Sequence, residues 1–358
     1  MSKTHTIAVI AGDGIGPEVV REGRRVLERV AAIEGFQFRC TPYPFGAEHY
    51  LKTKEVFPDA AFEEVKHHDA ILLGAIGDPR LEVGLLEFGI IAKLRFELDL
   101  FVNLRPVRLY AEHLCPLKDT RPEHVDFTVV RENTEDAYAG MRGFFKKGTP
   151  DEIATQEIIF TRKGVERVIR YAFELARRRN KRKKLTLIDK ANAVRAMDLW
   201  TRTFAEVGAE YPDIARDHQY IDAACMYVIR NPSDYDTVVT SNMFGDIFTD
   251  LSAMIQGGLG VAASGNLHPG RVSLFEPIHG SAPKYTGRNV ANPIATVLAV
   301  SMMLDYLGEA AAAVRLEQAV ERLLVSRRLP SVGTDSGFST TQIGDLVIEE
   351  LAAVGSGH

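Results

Sequence analysis

Short runs of β-branched and aliphatic residues alternate along this chain with longer segments whose apolar positions recur every three to four residues. The first pair is Thr6-Ile7-Ala8-Val9-Ile10, which predicts a strand, and a helix over about 16–33. A strand near 37–43, a helix near 57–66 and a strand over 69–75 repeat the order. Further on, Val125-Asp126-Phe127-Thr128-Val129-Val130 and Leu185-Thr186-Leu187-Ile188-Asp189 read as strands. Between them, Arg162 to Arg179 reads as a helix with Val165, Val168, Ile169, Ala172, Phe173 and Leu175 at 3.6-residue spacing. This order predicts an α/β fold with a mixed, largely parallel sheet. Residues 137–160 break it: Gly140, Gly143, Gly148 and Pro150 with weak alternation predict an extended arm, an element often exchanged between subunits. The chain has no internal repeat and no low-complexity linker.

A length of 358 residues allows two domains or one large α/β unit, and 46% apolar with 25% charged residues describes an ordinary globular enzyme. The net charge of −5 gives no support to nucleic-acid binding. The one basic run, Arg177 to Lys184, ends a helix, where cations complement the negative dipole end. Cys40, Cys115 and Cys225 are too few and too widely spaced for a disulfide framework or a zinc site, which fits a reducing compartment. The chain enters its first strand within a few residues of Met1, and no apolar run reaches membrane-spanning length. The expected location is cytoplasmic, with no membrane partner.

The candidate chemistry centres on Asn242-Met243-Phe244-Gly245-Asp246-Ile247-Phe248-Thr249-Asp250-Leu251. Helical spacing puts Asp246 and Asp250 on one face, just after the buried strand Tyr235 to Thr240 and before Gly257-Gly258-Leu259-Gly260. Hard divalent cations take oxygen ligands and leave room for water or a substrate carboxylate, while a solvated acidic face is the competing reading. Gly12-Asp13-Gly14-Ile15-Gly16-Pro17-Glu18 follows the first strand but carries Pro17 where a dinucleotide fingerprint has its third glycine, so the Rossmann reading fails. Arg95, Arg105, Arg108 and Arg131 lie near strand ends, and converging guanidinium forks imply a small dicarboxylate substrate.

Six blocks in order carry a resemblance: Gly12 to Glu18, Asn103-Leu104-Arg105-Pro106, Arg131-Glu132-Asn133-Thr134-Glu135, Asp189-Lys190-Ala191-Asn192, Asn242 to Leu251, and Glu276-Pro277-Ile278-His279-Gly280-Ser281-Ala282-Pro283. From residue 6 to about 350 the chain resembles the metal-dependent β-decarboxylating dehydrogenases of isopropylmalate and isocitrate. That resemblance implies a non-Rossmann two-domain fold, with a large cofactor-binding domain from 1–99 plus 252–358. It implies a smaller domain over 100–251 that carries the dimer interface and the arm. It also implies a homodimer with shared active sites, in which Asp246 and Asp250 of one subunit and Asp222 of the partner subunit hold Mg²⁺ or Mn²⁺. Arg95, Arg105 and Arg131 would hold the substrate carboxylates, with Asp222 beside the substrate, and Tyr138 and the partner subunit's Lys190 would be the acid and base pair.

Within the family the group on substrate C3 meets the segment Leu85 to Arg95. Gly89, Ile90 and Ile91 offer a third carboxylate no donor, and with Glu87 at the mouth they resemble a pocket for an isopropyl group. The expected reaction is oxidative decarboxylation of 3-isopropylmalate to 4-methyl-2-oxopentanoate in leucine biosynthesis. Ala193, where isopropylmalate enzymes usually carry valine, and the isocitrate-like stretch Arg131 to Gly140 keep D-malate or tartrate, homoisocitrate and isocitrate open as alternatives. For the cofactor, the Gly280, Ser281 and Ala282 amides would approach a pyrophosphate, and His279 and Asn292 the adenine. The resemblance adds Glu87 and Asn192 to the cofactor contacts. NAD is expected from the substrate branch, whereas Lys284 and Tyr285 resemble the NADP-using isocitrate branch. The three aspartates would also serve a metal-dependent hydrolase or lyase, but such an enzyme would not need the segment His279 to Pro283 together with Asn292.

Overall fold

The first apolar run forms β1 (Thr4–Gly12) and the first amphipathic pattern forms α1 (Gly16–Glu34) in the computed structural model, which describes residues 4–353. Next come β2 (Gln37–Tyr43), α2 (Ala47–Thr53), α3 (Asp59–Val65), β3 (Ala70–Ala75), α4 (Lys93–Glu97) and β4 (Val102–Arg108). The middle of the chain holds β5 (Asp126–Glu132), β6 (Arg142–Phe145), β7 (Ile153–Gln156), α5 (Arg162–Arg179), β8 (Lys184–Asp189) and α6 (Asp198–Gly208). It continues with β9 (Ala215–Tyr220), α7 (Ile221–Arg230), β10 (Thr237–Thr240) and α8 (Asn242–Ile255). The last elements are β11 (Ala263–Leu267), β12 (Ser273–Pro277), α9 (Ile294–Tyr306), α10 (Ala310–Val325) and α11 (Thr340–Ala353).

These elements sort into two units. The first takes in the described residues up to Leu100, Arg108–Pro122 and those from Ala253 onward. Its strands run in the order β2-β1-β3-β12-β11, parallel except for the β11–β12 pair. Helix α1 buries Val19, Val20, Val26, Leu27 and Val30, each worth roughly 1.5–3 kcal/mol in apolar burial. Helix α9 is apolar nearly all round because it packs on α1, α10, β11 and β12 at once.

The second unit comprises Phe101–Val107 and Glu123–Ser252, with strand order β4-β5-β10-β8-β9. β10 is parallel to β5 and β8, and β8 to β9. Trp200, Phe127, Phe173, Phe248 and Tyr235 fill its core. Helix α5 begins where the Thr161 side chain accepts from the Gly164 amide at 3.0 Å and stops at left-handed Asn180. Its basic end is neutralised by Arg177–Asp213 at 2.6 Å and by Arg179 with Asp126 and Asp236, both at 3.1 Å. The arm is an antiparallel hairpin of β6 and β7 with Phe144, Phe145 and Ile153 exposed.

The structure corrects three expectations. Residues 108–122 group with the first unit, because Arg108 bonds Glu317 and Glu321 of α10 at 2.6 and 2.9 Å and its amide bonds the Gln256 side chain at 2.8 Å. The helix near 57–66 is the seven-residue α3, and α2 before it went unread because so short a helix shows no periodicity. The segment ahead of Arg95 opens with a π-helical turn over Glu87–Ala92, a local widening that hydrophobic spacing does not reveal.

Gly14 ties the first turn to the nucleotide-like loop. Its φ is 58°, the Ile15 amide bonds the Ser281 carbonyl at 2.9 Å, and a Cβ on Gly14 would sit 1.9 Å from that carbonyl oxygen. Gly14→Ala is expected to lower the urea unfolding free energy by about 2 kcal/mol or more, through the strained φ and the displaced loop. An unchanged midpoint and slope would show that the loop yields freely.

Candidate active site

In the second unit β4, β5 and α8 bring charged residues together, with Arg131 the penultimate residue of β5. Arg131, on β5, is 2% exposed; its Nη1 donates to Asp246 Oδ1 at 2.5 Å, and its Nε and Nη2 donate to Asn242 Oδ1 at 3.1 and 2.7 Å. Gly245 lets the arginine stem pass, since a Cβ there would lie 2.5 Å from Arg131 Cγ. Arg105, on β4, reaches Asp246 at 3.2 Å and Asp250 at 3.7 Å, and donates to Thr249 Oγ1 at 2.6 Å and Asn103 Oδ1 at 2.8 Å. The Tyr138 hydroxyl stands 3.4 Å from Asp246 Oδ2, with its ring 5.8 Å from the Arg131 guanidinium. Five expected site residues therefore meet around two carboxylates one helical turn apart.

Burial raises the Asp250 pKa and the Asp246 charge adds to this, against the pull of Arg105. Burial also raises the Tyr138 pKa, again with a contribution from Asp246, so the phenol keeps its proton near neutrality. Two oxygen donors repelling each other on one helix face suit a hard divalent cation, which would relieve that repulsion.

Lys190 and Asp222 form a second cluster in the same unit, with Nζ 2.6 Å from Oδ1. Lys190 follows the last residue of β8, Asp189, which is buried and accepts from the Ala191 amide, the Thr201 hydroxyl and the His218 ring at 3.0, 3.1 and 2.9 Å. The Lys190 ammonium holds the Asp222 pKa down. Among the described residues, no three His, Cys, Asp or Glu side chains of one chain converge as a metal site. Asn192 and Ala193 are exposed in the turn after Lys190.

In the first unit, Arg95 pairs with Glu276 at 2.9 Å. Arg108 does not join the cationic set, because α10 takes both ends of its guanidinium. Ile90 also departs from expectation: it is 0% exposed in the core with Phe57, Leu86 and Leu94, so it has no surface for a substrate, while Ile91 is partly buried against that core. Gly77, at a φ of 126°, brings its turn close to Glu87 and Ser281, where a Cβ would lie 2.8 Å from Glu87 Oε1 and 3.6 Å from Ser281 Oγ, so these segments form a close backbone cradle. His279 Nδ1 lies 3.1 Å from the Gly280 carbonyl, its Nε2 is buried without a partner, and burial lowers its pKa, so a neutral ring nitrogen is free for a cofactor. Ala282 takes a left-handed φ of 42°, and the Lys284 ammonium sits 4.7 Å over the Tyr285 ring. Asn292 is buried, donating to the Val332 carbonyl and accepting from the Ile294 amide, both at 2.9 Å.

Four supporting residues escaped sequence reasoning. Asp13 accepts from the Ala47 and Gly77 amides at 2.6 and 2.9 Å and so fixes the cradle. Asn242 orients Arg131, and Asp136 bonds the start of α8. Glu132 folds the turn after Arg131, accepting from the Thr134 amide and hydroxyl and from the Glu135 amide at 2.7, 2.7 and 2.8 Å. Polar residues directly beside a functional arginine or helix start were the only available signal.

Two carboxylates one helical turn apart beside buried arginines, in an α/β chain without a Rossmann fingerprint, would suit a metal-dependent dehydrogenase of a dicarboxylate. The profile of the isocitrate/isopropylmalate dehydrogenase family matches residues 6–347. The 3-isopropylmalate dehydrogenase of Thermobifida fusca is 51% identical over 99% of both chains, and that of Mycobacterium avium is 48% identical over 96% of this chain and 99% of its own. The isocitrate dehydrogenase of Methylococcus capsulatus superposes with a TM-score of 0.88 at 35% identity, covering 97% of this chain and 99% of that one. The chain belongs to the isocitrate/isopropylmalate dehydrogenase family. No helix among the described residues is long and apolar enough to cross a membrane.

Glu132 generates a pH prediction. Burial pushes its pKa from the ordinary 4.5 up to about 7. Between those values the folded chain holds a proton that the unfolded chain releases, so stability falls as pH rises through the window. Wild-type protein is expected to lose up to about 3 kcal/mol between about pH 5 and about pH 8 from this group, and Glu132→Gln to lose less over the same interval, by denaturant titration. Parallel pH profiles for the two proteins would refute it.

Proposed function

We propose that the protein carries out NAD-dependent oxidative decarboxylation of 3-isopropylmalate to 4-methyl-2-oxopentanoate, a cytoplasmic step of leucine biosynthesis. The observation that carries this reading is the cluster of Asp246 and Asp250 with Arg105, Arg131 and Tyr138, in a chain 51% identical to a 3-isopropylmalate dehydrogenase. Arg95, Arg105 and Arg131 take the two substrate carboxylates, which add to or replace Glu276 at Arg95 and Asp246 at Arg105 and Arg131 as partners of the guanidinium forks. Asp246 and Asp250, with Asp222 of the partner subunit, hold Mg²⁺ or Mn²⁺. A metal held there would supply stabilisation of negative charge on the substrate oxygens, and a bound nicotinamide would supply the hydride acceptor.

The chain's own groups handle the protons. Lys190 of the partner subunit, as the neutral amine, takes the C2 hydroxyl proton as hydride leaves. After the C3 carboxylate departs as CO₂, Tyr138 Oη delivers a proton to C3; its raised pKa suits a donor. Ile91, with Glu87 beside it, meets the C3 alkyl group, where each buried CH₂ adds about 0.8 kcal/mol. Among the described residues Asp222 does not join Asp246 and Asp250 as a three-carboxylate cluster within one chain, which supports a site completed by a second copy of the chain. His279, Gly280, Ser281, Ala282 and Asn292 receive the dinucleotide, and Asn192 is assigned to it as well.

One observation favours a second reading of the cofactor. Exposed Lys284 stands beside Tyr285, whose pKa is lowered by Thr334 and by that lysine, so a cation and a phenol are available to a 2′-phosphate. On this reading NADP is used.

Initial rates of nicotinamide reduction with Mn²⁺, crossing 3-isopropylmalate, isocitrate, malate and tartrate against NAD and NADP, test the substrate. Highest kcat/KM with 3-isopropylmalate is expected; preference for another acid would transfer the assignment to it. Lys284→Asp is expected to raise the NAD-to-NADP ratio of kcat/KM about tenfold or more, and an unchanged ratio would remove Lys284 from cofactor choice. Lys190→Ala and Asp246→Ala subunits, unfolded together and refolded, are expected to regain about a quarter of wild-type activity through mixed dimers with one intact site. Failure to regain any would argue for a site within one chain.

A further inference from the structure

Asp136 is wholly buried, yet neither the substrate, the metal nor the cofactor reading uses it. Its φ is 73°, a left-handed conformation that residues other than glycine rarely adopt. Its Oδ2 accepts the Met243 amide at 2.9 Å, at the start of α8, and its Oδ1 accepts the Ala137 amide at 2.7 Å. Its own amide donates to the Ile159 carbonyl at 2.9 Å, closing the base of the arm. A second tie runs alongside, from Asn242 Nδ2 to the Glu135 carbonyl at 3.2 Å, and the Oδ1 of the same Asn242 receives two bonds from Arg131.

We infer that Asp136 is a positioning residue, which locks the turn carrying Tyr138 to the first turn of α8 so that the phenol and the Asp246 and Asp250 carboxylates move as one body. This rests on the proposed roles of Tyr138, Asp246 and Asp250. The residue type follows from two demands made at one position. Glycine and asparagine tolerate the backbone, but aspartate also presents two acceptor oxygens, one for each amide, and places negative charge at the positive end of a fourteen-residue helix. Tyr138 lies two residues beyond Asp136, and Asp246 one helical turn beyond Met243. The Asp136–Met243 bond therefore closes a short ring, whose far side is the 3.4 Å approach of the Tyr138 hydroxyl to Asp246. A proton donor displaced by about 1 Å from its target loses much of its effect, so the ring bears on turnover more than on cofactor binding.

Asp136→Gly keeps the left-handed backbone and deletes both acceptors, whereas Asp136→Asn keeps the backbone and one acceptor. Amide hydrogen exchange read by mass spectrometry on the whole protein tests the lock without any substrate. In Asp136→Gly, peptides over 137–141 and 242–246 are expected to exchange faster together, with α5 unchanged. Its kcat is expected to fall about tenfold or more while KM for the nicotinamide dinucleotide stays within about twofold, and Asp136→Asn to recover to within about threefold of wild type in kcat. Wild-type kcat in Asp136→Gly overturns the proposal, as does faster exchange in only one of the two segments, or faster exchange of α5 as well. If wild-type protein oxidises none of the acids, the functional reading fails, and the exchange data decide the lock by themselves.

Discussion

The buried guanidinium of Arg131 is the constraint around which the second unit is arranged. A cation this far from water is tolerated only when its donors are met, and here Asp246 supplies a charge while Asn242 supplies an oxygen shared by two of its nitrogens. Both partners stand in the first half of α8, so satisfying Arg131 sets the axial position and rotation of that helix. Gly245 is required for the same reason, because the arginine stem occupies the space a side chain would fill. The placement of Asp250, one turn further along α8, thus follows from the Arg131–Asp246 ion pair.

The first unit solves a different problem, which is to bring separate backbone segments close together around one buried acid. Asp13 draws two amides onto one buried carboxylate, Gly14 allows the Ser281 carbonyl to lie against the first turn, and Gly77 leaves space beside Glu87. Desolvation raises the Asp13 pKa and the two amide donors oppose that rise, which is the usual balance for an acid employed as structural glue. The cradle is therefore a set of backbone positions, while Lys284 and Tyr285 stand in the short turn that follows Ala282.

Family membership and substrate choice rest on different parts of the molecule. Six blocks from Gly12 to Pro283 define the family, and they hold groups that any β-decarboxylating member needs. In the segment ahead of Arg95, Ile90 lies wholly in the core, whereas Ile91 keeps part of its surface. Enzymes of this family can share the arginines, the carboxylates and the phenol while differing in a single apolar contact, because a methylene is worth far less than an unpaired buried carboxylate.

Local pattern by itself determined much. Helix α5 was legible from end to end, since its apolar face, its threonine cap and its left-handed asparagine stop are all encoded within eighteen residues and their flanks. The Asp246 and Asp250 pair was legible because four-residue spacing on a helix is a fixed geometry, and the arginines near strand ends were legible as cations. What tertiary structure decided were the partners. Arg108 turned to Glu317 and Glu321, two hundred residues away, and carried 108–122 into the first unit. Ile90 sank into the core, and Asp136, which reads as one more acid in a polar loop, took the Met243 amide more than a hundred residues on. Periodicity and turn chemistry are properties of neighbouring residues, so a sequence displays them. Which donor meets which acceptor across such separations depends on how strands stack and where helices end, and only the folded chain brings those groups within bonding distance.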